Sequence, residues 1–128
     1  MDSSAFYLSS YNIRGLSINN IKVVSDIVEQ FGEDKIILGI QEHFQVRKNL
    51  KKISNSFNNM AVISKGAFKS SSVINNSRPR GGNAILVPKA LRSSVGIVES
   101  RSWRVQGITI VIGTRKYLIL NLYLPCDL

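Results

Sequence analysis

The first third of the chain has the pattern of a strand, a helix and a second strand, which constrains the fold more than any other feature. Residues 5–13 are rich in aromatic and apolar side chains. Asn19 or Asn20 can then cap a helix whose apolar residues recur at helical spacing until Gly32. Residues 36–40 are an apolar run typical of a central strand. This order predicts two parallel strands joined by a crossover helix.

The rest of the sequence changes towards strand patterns. We predict a second helix over residues 45–57, and a long surface loop over residues 65–82, which are rich in Ser, Asn, Pro and Gly. The further predicted strands are residues 59–64, 83–87, 94–100, 103–112 and 116–124. Residues 113–116 favour a hairpin between the last two strands. The fold class that follows is α/β (α+β), with a βαβ start and then mainly antiparallel strands.

Composition and charge narrow the class of partner. The 128 residues include 17 Lys and Arg against 8 Asp and Glu, a net charge of +9 that favours a polyanion such as nucleic acid. No apolar run is long enough to cross a bilayer, so we expect no membrane partner. The N-terminus lacks a signal-peptide pattern, and a single cysteine, Cys126, suits a reducing compartment. We therefore expect an intracellular protein that is not secreted.

Two polar residues lie where the predicted parallel strands end. Asn12 ends the first strand and Glu42 follows the second. Because the carboxyl ends of parallel strands share one edge of a sheet, we expect the two side chains to lie close together. A carboxylate there can bind a hard divalent cation, and a neighbouring amide can orient a phosphate. The alternative is a pair of polar strand ends that only face water.

Four segments carry a resemblance to a known family. They are YNIRGL (residues 11–16), GIQEHF (39–44), RPRGGNAILV (78–87) and LNLYLP (120–125). In order and context they resemble the endonuclease/exonuclease/phosphatase superfamily, and their spelling is most similar to the endonuclease domain of non-LTR retrotransposon polyproteins. The resemblance implies a DNase I-like fold, a layered β-sandwich with flanking helices.

The resemblance also implies roles for individual residues. Glu42 matches the glutamate that binds the catalytic Mg²⁺, for which Mn²⁺ can substitute. Asn12 matches an asparagine near the scissile phosphate, and Tyr123 matches a tyrosine whose hydroxyl reaches that phosphate. Arg14 stands where some relatives carry an acidic residue, which favours a phosphate contact at that position.

The later motifs of the family are missing from this sequence. It contains no GDFN-type segment and no C-terminal Asp-His pair. Its single histidine, His43, lies in the wrong motif for a general base, and we interpret it as a rim residue. We therefore interpret residues 1–128 as one partial domain, the N-terminal half of the fold. An uncovered apolar sheet face would then need the C-terminal half or another chain to cover it.

The predicted function is that of a protein derived from a metal-dependent DNA endonuclease that nicks retrotransposon target DNA, acting in the nucleus and incomplete alone. In the predicted loop, Lys65, Lys69, Arg78 and Arg80 are placed to follow a DNA backbone, or else only keep a loop soluble. One alternative is a non-catalytic basic module that binds nucleic acid. Another is a phosphoesterase of the same fold with a different phosphoester substrate.

Overall fold

Two stacked β-sheets and a layer of helices make up the described part of the chain. The computed structural model describes residues 5–67 and 79–124. Its elements are β1 (Tyr7–Asn12), α1 (Ile18–Phe31), β2 (Ile36–Gln41), α2 (Lys51–Ser56), β3 (Ala61–Lys65), β4 (Asn83–Val87), β5 (Gly96–Val98), β6 (Val105–Ile112) and β7 (Arg115–Leu122). Short 3-10 helices span Arg47–Asn49 and Lys89–Ser94.

The first sheet has the strand order β1-β2-β4-β3. β1 and β2 are parallel, whereas β4 is antiparallel to both β2 and β3. The predicted strand–helix–strand start is confirmed, since α1 connects the two parallel strands. Residues of β2 are buried on both faces, which explains why its sequence is apolar without alternation.

Helix α1 begins two or three residues earlier than capping by Asn19 or Asn20 would give. Ser17 is its N-cap, and the Ser17 hydroxyl accepts a hydrogen bond from the Asn20 amide at 3.1 Å. The helix ends at Gly32, whose φ of 96° is readily adopted only by glycine, and the Gly32 amide donates to the Val28 carbonyl. Val24 and Val28 are buried against the first sheet.

The second predicted helix is largely wrong in extent. Residues 45–57 form the Arg47–Asn49 3-10 helix followed by the six-residue α2. Val46 is extended, and no side chain caps the start of either segment, so one continuous helix does not form. Ile53 and Phe57 are nevertheless buried in the core.

The second sheet, in the order β5-β6-β7, packs on the first. A cluster of isoleucines and valines fills the space between them: Ile37, Ile63, Ile85, Val87, Ile108 and Ile110. The β6–β7 pair is antiparallel and closes through a turn at Gly113, which confirms the predicted hairpin. The chain therefore contributes strands to both layers of a sandwich.

The outer face of the second sheet is uncovered in the described part of the chain. Leu118, Leu120 and Leu122 alternate on β7 and are 61%, 53% and 47% exposed. An apolar groove of about 290 Å³ also separates the edges of β1 and β7. We expected an uncovered face on a single sheet; it belongs instead to the second sheet, because both sheets are represented. No described helix has the length and apolar character of a membrane span.

Candidate active site at the rim of the first sheet

One row of residues crosses the end of all four strands of the first sheet. Asn12, Gln41, Asn83 and Lys65 are successive register partners on β1, β2, β4 and β3. Residues paired in register point to the same face of a sheet, and here that face is turned towards the second sheet. Glu42 directly follows Gln41, the last residue of β2. The structure thus places Asn12 and Glu42 at the same rim, as the sequence predicted.

Glu42 is held in a left-handed backbone conformation. Its φ is 61°, and Arg14 (49°) and Phe44 (63°) are the other described non-glycine residues with positive φ. The Gly15 amide donates to the Glu42 carbonyl at 2.7 Å, which fixes the loop after β1 to the loop after β2. Left-handed conformations cost a non-glycine residue about 1 kcal/mol or more, and their clustering is typical of functional sites.

The Glu42 carboxylate itself has no hydrogen bond or ion pair within residues 5–67 and 79–124. It is partly exposed. Asn12, the register partner of Gln41, is exposed, and its side-chain oxygen accepts from the Arg14 amide at 3.2 Å, forming a tight turn. Arg14 is also exposed, so a carboxylate, an amide and a guanidinium lie on neighbouring loops of one rim.

The donor atoms at this rim can be compared with the ligands that Mg²⁺ requires. Among the described residues there is no group of three or more His, Cys, Asp or Glu that could surround an ion. Mg²⁺ commonly keeps several waters and binds through one or two carboxylates together with substrate phosphate. A single carboxylate such as that of Glu42 is chemically compatible with one ligand of such an ion.

His43 is fully buried, so the interpretation of it as a rim residue is wrong. Its ring acts as a clamp, meaning that it connects the loop after β2 to the end of β3. Its Nδ1 accepts from the Gln45 amide at 2.9 Å, and its Nε2 lies 3.0 Å from the Lys65 carbonyl oxygen. This pattern assigns a neutral ring that carries its proton on Nε2. Burial lowers the pKa of His43 to about 4, outweighing the backbone hydrogen bonds that favour the charged form.

Two consecutive glycines make room for this clamp. The amides of His43 and Phe44 donate to the carbonyls of Gly82 and Gly81, at 3.1 and 3.0 Å. A β-carbon on Gly82 would lie 2.3 Å from Cε1 of His43, and one on Gly81 would lie 2.6 Å from a ring carbon of Trp103. The absence of side chains at both positions thus leaves space for the His43 and Trp103 rings.

A network of buried amides joins the row to β7. The Asn121 side chain donates to the carbonyls of Ile40 and Ala84, both at 3.0 Å, and accepts from Gln41 at 2.7 Å. Asn83 in turn donates to the Asn121 carbonyl at 3.1 Å. Buried amides of this kind are costly unless satisfied, so the network sets the position of β7 relative to the first sheet.

Tyr123 lies just past the end of β7, two residues beyond Asn121. Its amide donates to the Arg104 carbonyl at 2.8 Å, and its ring centroid lies 5.5 Å from that of Trp103. Tyr123 is partly buried, and the amide network ties its strand to the Asn12–Glu42 rim. Arg80 is exposed at the entry to β4, whereas Arg78 lies outside the described residues.

Sequence reasoning missed the residues that hold the site together. Asn121 had a detectable signal, because it is the only polar residue in the apolar run from Tyr117 to Leu124 apart from the tyrosine hydroxyls. His43 and Lys65 had none, since a lone histidine and a lysine in a basic stretch are usually exposed. Their partners are distant in sequence and are brought near only by folding.

Replacing Glu42 by glycine is expected to stabilise the fold while removing the candidate ligand. Glycine adopts a φ of 61° without the steric cost that glutamate has, so the free energy of unfolding should rise by about 0.5–1 kcal/mol. Urea denaturation measures this. Glu99→Gly, at an exposed position without positive φ, is the control and should not be stabilising; loss of stability in Glu42→Gly would contradict the assigned strain.

Comparison with solved structures identifies the fold. The chain matches the AP endonuclease LMAP from Leishmania major with a TM-score of 0.68 and 13% sequence identity, over 96% of this chain and 41% of that chain. No protein-family model matches the sequence, and no curated protein does either. The chain thus has a mixed α/β, DNase I-like fold in partial form, which confirms the predicted fold class. It spans about two fifths of the length of that AP endonuclease.

Proposed function

We propose that this chain carries the first part of a divalent-metal-dependent phosphodiesterase site that acts on DNA. The observation that supports this most is Glu42, whose carboxylate has no partner among the described residues and which is held with a positive φ directly after Gln41, the register partner of Asn12. The order of the four sequence segments favours an endonuclease of the retrotransposon type that nicks target DNA. Action on chromosomal DNA would place the protein in the nucleus.

The residues have distinct roles in this proposal. Glu42 binds Mg²⁺ or Mn²⁺, which when bound neutralises charge on the phosphate during hydrolysis. Asn12 orients the scissile phosphate by donating from its amide, and the Tyr123 hydroxyl donates to a phosphate oxygen. Arg14 contacts the DNA backbone from the neighbouring loop, and Arg80 does so at the entry to β4. Arg78, which lies outside the described residues, is proposed as a further phosphate contact.

Hydrolysis requires groups beyond those described. Within residues 5–67 and 79–124, no second acidic residue accompanies Glu42 in a metal-binding group, and the one histidine is a buried neutral clamp. We propose that the general base and further metal ligands come from additional polypeptide. The same polypeptide would cover the exposed leucine face of β7, which supports its being a continuation of the sandwich.

Binding of Mg²⁺ to the chain tests the assignment of Glu42. In a titration followed by amide NMR signals, we expect Glu42 and Gly15 to shift, and the shifts to disappear in Glu42→Gln. Glu29→Gln, which neutralises an exposed carboxylate on α1, is the matched control and should bind normally. Equal Mg²⁺ affinity in Glu42→Gln and Glu29→Gln would show that Glu42 is not the ligand.

Nicking of supercoiled plasmid tests completeness. With Mg²⁺ present, we expect the 128-residue chain to leave the plasmid intact, because the described residues of the rim place no general base near Glu42. Nicking that depends on Glu42 would instead show that the chain is complete and would overturn this part of the proposal. Mn²⁺ in place of Mg²⁺ should give the same result.

A second candidate function is supported by the charge of +9. A non-catalytic basic module would bind nucleic acid through phosphate contacts alone, with affinity that falls steeply with salt. Such binding would need no Mg²⁺ and would persist in Glu42→Gln. Competition by inositol phosphates would separate DNA from another phosphoester as the substrate of the same fold.

A further inference from the structure

The Lys65 ammonium is held by a loop of the second sheet. It donates to the backbone carbonyls of Ser100, Ser102 and Val105 at 2.9, 2.7 and 2.7 Å. A lysine ammonium has three donors, so all of them are used. Burial lowers the pKa of Lys65, while the nearby Glu99 carboxylate raises it. The expectation that Lys65 contacts a DNA backbone is therefore wrong.

The segment that Lys65 holds, residues 100–104, is here named the Trp103 loop. The Trp103 ring packs over Gly81, and the Arg104 guanidinium lies 5.0 Å from the ring centroid. The Arg104 carbonyl accepts from the Tyr123 amide at 2.8 Å and from the Asn83 side chain at 3.4 Å. The Trp103 loop is thus fixed to the strand ends that carry the candidate site.

The Trp103 loop also presents positive charge. Arg101 and Arg104 are exposed on it and Arg80 is exposed near Gly81, and none of the three forms an ion pair within the described residues. Unpaired guanidinium groups around an aromatic ring are a favourable surface for a nucleic-acid backbone. Because the Lys65 ammonium donates all its hydrogen bonds to backbone carbonyls, Lys65 affects this surface only by holding the loop in place.

We propose that the Trp103 loop is a phosphate-contacting surface for DNA, with Arg101 and Arg104 as the contacts and Lys65 as the positioning residue that holds the loop in place. This inference rests on the proposed action on DNA. It adds residues that the sequence segments do not assign, and it separates two roles for basic residues: contact with phosphate and support of the loop.

The test uses Trp103, the only tryptophan in the chain, as a fluorescent probe. A duplex oligonucleotide is titrated at several salt concentrations without Mg²⁺, and log K is plotted against log salt. Arg104→Gln should lower the magnitude of the slope by about 0.9, the value for one lost phosphate contact. Arg101→Gln should do the same.

The matched control is Arg115→Gln, which removes the same charge at the opposite end of the β6–β7 pair. It should keep the parental slope. Equal slopes for Arg104→Gln and Arg115→Gln would overturn the Trp103 loop as a contact surface. In that case duplex binding itself would still occur, whereas absence of any duplex binding by the parent chain would refute action on DNA altogether.

Lys65→Met separates positioning from contact. Without the ammonium the carbonyls lose their donors, so Trp103 emission of the free protein should shift to longer wavelength and duplex affinity should fall. Lys65→Arg keeps the donors and should restore both in part. Unchanged emission together with a slope lowered by about 0.9 would make Lys65 a direct contact and would overturn its positioning role. Shifted emission with unchanged affinity would overturn the role of the loop.

Discussion

Alanine at position 82 is expected to lower the free energy of unfolding by about 2–5 kcal/mol, the largest single-residue effect we predict. Two costs add. A non-glycine residue at a φ of 89° is strained by about 1–2 kcal/mol. The new β-carbon would also lie 2.3 Å from Cε1 of the buried His43, and overpacking of this kind costs about 1–3 kcal/mol. Urea denaturation monitored by circular dichroism gives the value.

Gly113→Ala provides the matched control for Gly82→Ala. Its φ of 63° is also left-handed, but nothing lies within 4 Å of the added β-carbon. The cost should therefore be the backbone strain alone, about 1 kcal/mol. If the two variants were equally destabilised, the contact between residue 82 and the His43 ring would not be the cause.

Acidification is expected to destabilise the fold through His43. Its pKa is lowered from 6.5 to about 4 in the folded protein, so protons bind preferentially to the unfolded chain. The contribution is fully present above pH 6.5, decreases as the pH falls, and is exhausted below about pH 4. From pH 7 to pH 5 the free energy of unfolding should fall by about 2 kcal/mol, and by about 3 kcal/mol in total.

His43→Gln isolates this contribution, because the chain has no other histidine. The variant should be less stable at neutral pH, since glutamine does not reproduce the ring contacts. Its stability should nevertheless change little between pH 7 and pH 5, where carboxylates remain largely ionised. An equally steep decrease in the variant over that range would show that His43 is not the group that titrates.

The elements were predictable where a periodic pattern and a stop signal coincided. α1 and β2 follow from apolar spacing and from Gly32, and the hairpin at Gly113 follows from the turn residues between two apolar runs. The prediction of one helix over residues 45–57 was wrong because apolar spacing indicates which side chains become buried. It does not indicate whether a capping side chain allows one continuous helix. The sequence also could not indicate which face of β7 is left uncovered, because the exposed leucines of β7 have the same apolar character as core residues.

The candidate site was predictable only in part. Asn12 and Glu42 could be placed at one rim because parallel strands bring their carboxyl ends together. The support of that rim could not be predicted, because His43, Lys65 and Asn121 act through backbone carbonyls 22 to 81 residues away in sequence. Backbone groups have the same chemistry at every position, so no sequence pattern marks which of them a side chain will meet.

By itself, the sequence determined the strand–helix–strand start, the positive charge, and the placement of a carboxylate at the end of a buried strand. These depend on local periodicity and composition, which a linear chain displays directly. Only the tertiary structure decided that Glu42 has a strained backbone, that His43 is a buried neutral clamp, and that the Lys65 ammonium donates to backbone carbonyls. Those properties depend on burial and on contacts between distant segments, which exist only once the two sheets have packed together.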